Sequence, residues 1–162
     1  MLAELPEKLM KKAKSMKFDK SRCSFKLPEK NIMIPKNFEI LEADEKYSTE
    51  PILLQQWVET DLWYKKDDKY QRPKAIVEMK IYTNDNGFGQ NIKGRLFAHL
   101  WQRIVSEYLR EFIYTSEMAN VEFALVIQHN NFNFTFKGYS DTLGLFISEF
   151  FKKMNQMKTE DE

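Results

Sequence analysis

Along the second half of the chain, apolar residues recur first every second position and then in pairs every fourth. From Lys74 to Thr83, Ala75, Val77, Met79 and Ile81 alternate with Lys74, Glu78, Lys80 and Tyr82. That is the two-residue period of a strand with one face packed, and only Ile76 breaks it. A shorter strand is expected at Leu62 to Lys66, joined to it by a charged turn of Asp67, Asp68 and Lys69 with Arg72-Pro73. Beyond the turn chemistry of Asn84-Asp85-Asn86-Gly87 and Gly89, the period changes: Leu96, Phe97, Leu100, Trp101, Ile104, Val105, Tyr108, Leu109, Phe112 and Ile113 predict one helix of about four or five turns. Val121 to Gln128 alternates again through Phe123, Leu125 and Ile127, as do Phe132, Phe134 and Phe136. The Asn130-Asn131 pair between these runs accepts positive φ cheaply, so a tight antiparallel hairpin is expected. Ser140 as N-cap and Asp141 in the first turn then open a last helix with the stripe Leu143, Phe146, Ile147, Phe150, Phe151 and Met154. The order β-β-α-β-β-α predicts a two-layer α+β fold, a mainly antiparallel sheet with helices on one face.

The first third of the chain follows neither period for long. Residues 1–20 read as a short basic helix (Leu5, Leu9, Met10 and Ala13 with Lys8, Lys11, Lys12 and Lys14). From Ser24 to Glu50 two prolines, Pro28 and Pro35, force their predecessors into extended geometry. The expected division is an N-terminal helix over 1–23, an extended linker arm over 24–61, the α+β body over 62–157 and a polar tail over 158–162. The arm holds too many apolar residues for a solvated tether, so Phe25, Ile34 and Phe38 are expected to be buried.

Composition narrows the functional classes. The 162 residues carry 25 Lys+Arg against 24 Asp+Glu, a net charge of +1, which lacks the basic surplus of a nucleic-acid binder. No run of about 18 uncharged apolar residues occurs, and the charged N-terminus lacks a signal peptide's apolar core. A soluble, unexported, cytoplasmic chain without membrane contact is the expectation. One cysteine, Cys23, and two histidines, His99 and His129, exclude a cysteine-rich structural zinc site. Aromatic residues make up 14% of the chain, enough bulk for a buried core.

Other candidate chemistry resolves into bland readings. Asp67-Asp68 sits among Lys65, Lys66 and Lys69, which give both carboxylates the same solvated, cation-rich setting and so cannot split their acidities. Gly87, Gly89 and Gly94 match neither phosphate-loop nor dinucleotide spacing. Phe132, Phe134 and Phe136 share one face opposite a long amphipathic helix and read as core, not as a base-stacking platform. Cys23 has no base close in sequence to make it a nucleophile.

Three segments carry a resemblance. FKLPEKNIMIPKNFEIL (Phe25 to Leu41), LWYKKDDKYQRPKA (Leu62 to Ala75) and FKGYSD (Phe136 to Asp141), in that order and spacing, resemble the middle region of the insulysin and pitrilysin family of zinc metallopeptidases. The resemblance runs from about Leu5 to Met157. It implies the linker between the two halves of a much longer, clamshell-shaped peptidase, followed by part of its third domain, half of a mitochondrial-processing-peptidase-like metallohydrolase unit. That domain is a metal-free copy of the catalytic first domain.

Such peptidases hold zinc with His-x-x-Glu-His on a helix, two imidazoles one turn apart with a Glu to take a proton from the metal-bound water. The corresponding helix here reads Leu96-Phe97-Ala98-His99-Leu100-Trp101-Gln102-Arg103, with Arg95 and Arg103 a turn to either side of His99. The resemblance therefore implies no catalytic residue, no metal ligand and no cofactor in this chain, the zinc belonging to the parent enzyme's first domain. It implies as partners the remaining parent domains and, in the parent, a peptide substrate. Tyr139, after Gly138 at the sheet edge, is the one candidate substrate contact, with simple packing as its other reading. The leading function is a non-catalytic piece of the peptidase that forms chamber wall and inter-half linker; the alternative is a free-standing protein-interaction domain. A half-domain leaves an open sheet edge and apolar helix faces, so the isolated chain is expected to form a homodimer.

Overall fold

The computed structural model of the chain describes residues 11, 30–40, 50–67, 69–83, 91–128 and 130–157. It divides into two compact units, Met1–Lys30 and Asn31–Glu162. In the first, Lys11 is helical. The rest of the basic helix, Cys23, Phe25, Leu41, Asp68, the turn at 84–90, His129 and the tail at 158–162 lie outside the described residues.

In the second unit β1 (Ile52–Gln56) and β2 (Asp61–Tyr64) form an antiparallel hairpin. Next come β3 (Lys74–Tyr82), α1 (Ile92–Tyr108), α2 (Arg110–Glu117), β4 (Glu122–Ile127), β5 (Asn131–Tyr139) and α3 (Ser140–Gln156). The main sheet has the order β3-β5-β4, antiparallel throughout. Its register places Val77, Phe136 and Phe123 side by side, and Met79, Phe134 and Leu125 in the next row. Phe134 and Phe136 on this face are buried, together with Leu143, Phe146 and Phe150 of α3 and Val105 of α1. Phe112 of α2 stacks on Phe146 with ring centroids 5.2 Å apart, and Phe123 meets Phe150 at 4.5 Å. Each such ring removed from water contributes about 1.5–3 kcal/mol, so this aromatic cluster joins both layers. Lys74, Ile76, Glu78, Lys80 and Tyr82 are exposed on the opposite face of β3. The fold is the α+β arrangement that the alternation implies, with the helices on one face, and Ile76, the odd residue in the pattern, belongs to the solvent side at 63% exposure.

Four local features differ from the pattern-based expectation. Ile52–Gln56, inside the stretch expected as extended arm, is a strand; its register shifts between Leu53 and Gln55, and that irregularity erases the alternation that would have marked it. The single long helix is two: at Leu109 (φ −91°, ψ 4°) the backbone leaves the helical region while the side chain stays buried. The first of the two starts at Ile92, where the Asn91 side chain accepts from the Lys93 amide, four residues before the apolar stripe begins at Leu96, whose Leu96, Phe97, Leu100 and Ile104 are exposed. Finally, Ser140 is not the N-cap of α3. Tyr139 holds that position, extended and without a side-chain cap bond, and the Ser140 amide donates to the Pro73 carbonyl at 3.1 Å.

Burial of the arm also differs. Ile34 and Phe38 are 55% and 53% exposed, whereas Met33 between the prolines is 2% exposed and belongs to the core cluster. The unbranched thioether reaches the interior where the β-branched Ile34 does not.

Candidate functional site

Three short attachments fasten residues 31–40 to the α+β body, one at α2 and two at the end of β5. The Asn31 side chain accepts from the Met33 amide at 2.9 Å, an Asx turn, and its amide group donates to the Thr115 carbonyl at 2.7 Å. That turn aims Met33 into the core. A few residues on, the backbone amides of Lys36 and Asn37 donate to Oδ2 of Asp141 at 2.8 and 3.1 Å. These two bonds, that from Lys36 first, hold the Asp141 carboxyl below the ordinary carboxylate range, against a small opposing effect of desolvation. Phe38 then sets its ring edge-on to Tyr139, centroids 5.2 Å apart.

Tyr139 is the last residue of β5 and is half-buried. Besides Phe38, the Lys74 ammonium lies 5.1 Å from its ring centroid, a cation–π contact across the β3–β5 pair. The preceding Gly138 is closely approached: a Cβ there would stand 3.2 Å from Cγ2 of Val121, which would have to give by a few tenths of an ångström, and 3.5 Å from Cδ1 of Leu143. Asn31, Phe38, Gly138, Tyr139 and Asp141 all belong to the segments that carry the sequence resemblance. Asn31, Phe38, Tyr139 and Asp141 seat the arm on the body, while Gly138 lets Val121 and Leu143 approach the strand.

The remaining candidates stay apart. His99 is exposed on α1, with exposed Arg95 and Arg103 a turn to either side. Among the described residues no group of three or more His, Cys, Asp and Glu side chains could hold a metal ion. Two flanking guanidiniums also oppose a cation, so the His99 surroundings do not fit zinc. Asp67 closes its own turn, accepting from the amides of Lys69 and Tyr70 at 3.1 and 3.0 Å. An open groove of about 310 Å³ runs between the helices and β4, with Ile113, Phe123 and Leu125 in its lining and Arg110 and Glu117 beside them. Ser106 also lines it, but its hydroxyl donates to the Gln102 carbonyl of its own helix at 2.8 Å and not to the Glu117 carboxylate. Among the described residues no helix is long and apolar enough to cross a membrane.

Sequence reasoning did not find Asn31, Met33 or the clamping role of Asp141. An Asn two residues before an apolar residue was the available signal for the Asx turn; the Asp141 contact spans 105 positions and left no local trace.

Comparison with known proteins points in one direction. All of residues 1–162 match the family model described as the middle or third domain of peptidase M16. Insulin-degrading enzyme of Homo sapiens is 28% identical over 138 residues, covering 85% of this chain and 13% of that protein. Insulin-degrading enzyme-like 1, peroxisomal, of Arabidopsis thaliana is 29% identical over 121 residues, covering 75% of this chain and 12% of that one. The crystal structure of pitrilysin superposes with a TM-score of 0.71 at 18% identity, over 80% of this chain and 14% of that chain. The present chain thus spans about one-eighth of the length of these relatives.

Proposed function

Since the chain belongs to the peptidase M16 family as its middle or third domain, we propose that it serves as a non-catalytic part of an insulysin-like zinc metalloendopeptidase. The observation that carries this reading is the seating of residues 31–40 on the sheet end by Asn31, Met33, Asp141 and Phe38, the arrangement a linker needs if it is to transmit position and not merely tether. In this reading residues 1–23 are an N-terminal helix, 24–61 join the two halves of the parent, and 62–157 form part of the chamber wall. The polar sheet face of Lys74, Glu78, Lys80, Thr135 and Lys137 lines the chamber, and Tyr139 meets the peptide substrate. The zinc and its ligands belong to the parent's first domain, and the remaining domains are the chain's partners. The parent is cytoplasmic. Taken alone, the chain binds no catalytic zinc, cleaves no peptide and pairs with a second copy of itself.

Reading the transcript on both sides of these codons tests the proposal. A His-x-x-Glu-His codon run upstream, in the same frame, is the expected result; in-frame stops on both sides would overturn it. In parallel, the purified chain after dialysis against a chelator should lack stoichiometric zinc and leave a fluorogenic peptide uncut, and chelator-sensitive cleavage by the chain alone would overturn the non-catalytic assignment.

A further inference from the structure

α1 has two apolar faces, and among the described residues only one of them is covered. Ala98 and Val105 are buried against the sheet, while Leu96, Phe97, Leu100 and Ile104 stand 45–67% exposed along the outer face. The outer face is self-complementary about Leu100. Leu96 and Ile104 lie four residues to either side of it, and Lys93 and Glu107 lie seven to either side. Turn the helix end over end about Leu100, and Leu96 falls on Ile104 and Lys93 on Glu107.

We propose that α1 pairs with α1 of a second copy of this chain, antiparallel and across a twofold axis at Leu100. Leu100 then meets its own counterpart, Leu96 meets Ile104 twice, and Lys93 meets Glu107 at both ends. The spacing along the seam, three, four, four and three residues, suits a shallow helix crossing of about 20°, at which the outer pairs stay within reach. A twofold contact uses one patch on both partners and closes on itself, so it yields a dimer and not an open chain of copies. Glu107 already lies 3.2 Å from Arg110 at the start of α2, but the two side chains are 68% and 76% exposed, and such a pair exchanges readily.

This inference rests on the self-association proposed above and goes further in naming its surface, so the test separates the two. Sedimentation equilibrium of the 162-residue chain, from micromolar to near-millimolar concentration, should show a monomer–dimer equilibrium. Leu100→Glu should weaken dimerisation by about tenfold or more, since it places two carboxylates on the axis. Lys93→Glu and Glu107→Lys should each weaken it several-fold, and the doubly substituted K93E/E107K chain, in which the charges are exchanged, should regain the original affinity. Circular dichroism checks that each variant keeps its helices, and the charge pair keeps the proposal testable should Leu100→Glu fail to fold. A chain that stays monomeric throughout overturns both the seam and the self-association. A dimer indifferent to these substitutions, or a double variant in which the two losses add, overturns the seam alone.

Discussion

Asp141 does with one oxygen what neither its position nor its neighbours announce. An acid in the first turn of a helix ordinarily serves that helix's own amides, yet here the carboxylate turns outward and takes the amides of Lys36 and Asn37. The sequence made Asp141 visible as part of the motif after Gly138 and hid its purpose, because its partners lie over a hundred positions away. Phe38 was legible in the same partial sense: it was expected in a buried site and is instead half-open, edge-on to Tyr139. The lowered pKa of Asp141 fixes the sign of its pH dependence. A carboxyl whose folded value lies below its unfolded one stabilises above the ordinary carboxylate range, and that contribution is lost as pH falls through the lowered folded value. Asp141→Ala should therefore speed amide exchange at Lys36 and Asn37 several-fold at neutral pH while leaving Phe134 and Phe136 in the sheet as slow as before. In the unaltered chain the same two amide resonances should shift with the Asp141 titration, below the usual carboxylate midpoint. Unchanged protection in the variant would show that the arm is held by Met33 and Asn31 alone.

At the scale of elements, legibility follows the regularity of the buried stripe. α3 was readable because Leu143, Phe146 and Phe150 are 0–2% exposed, whereas Leu145 on its other side is 43% exposed. β4 and β5 were readable for the same reason, although the turn between them is 128–130, with Asn131 already in β5 and, among the described residues, no positive φ at Asn130 or Asn131. β1 was not, since its register shift breaks the period and both Leu53 and Leu54 remain exposed. The division at Leu109 was hidden because Val105, Leu109 and Phe112 continue one apolar stripe straight across it. The contrast within α3 gives a direct measurement. Phe150→Ala leaves a cavity among Phe123, Phe136, Phe146 and Phe151 and should cost about 3–5 kcal/mol in denaturant unfolding. Leu145→Ala, on the open side, should stay within about 0.5 kcal/mol. Equal losses would mean that the aromatic cluster does not carry the fold.

Across the whole molecule, the fold class was legible and the sheet order was not, because β3 reaches β5 only after both helices and β4 have intervened, a pairing no local turn specifies. That order concentrates stability in the centre. β5 is hydrogen-bonded on both sides and its Phe134 and Phe136 are covered by α3, whereas among the described residues β1 and β2 pair only with each other and leave Trp57, Leu62 and Trp63 about half exposed. A two-stranded hairpin is marginal in water unless something covers it. Local opening should therefore separate into two levels, near zero free energy for the hairpin and close to the global value for the central strand. Hydrogen exchange followed by mass spectrometry, at a concentration low enough to keep the chain monomeric, should find residues 52–64 exchanged long before residues 132–138. Protection of the hairpin as lasting as that of β5 would sink this account, since it would require a cover over Trp57 and Trp63 that their exposure contradicts.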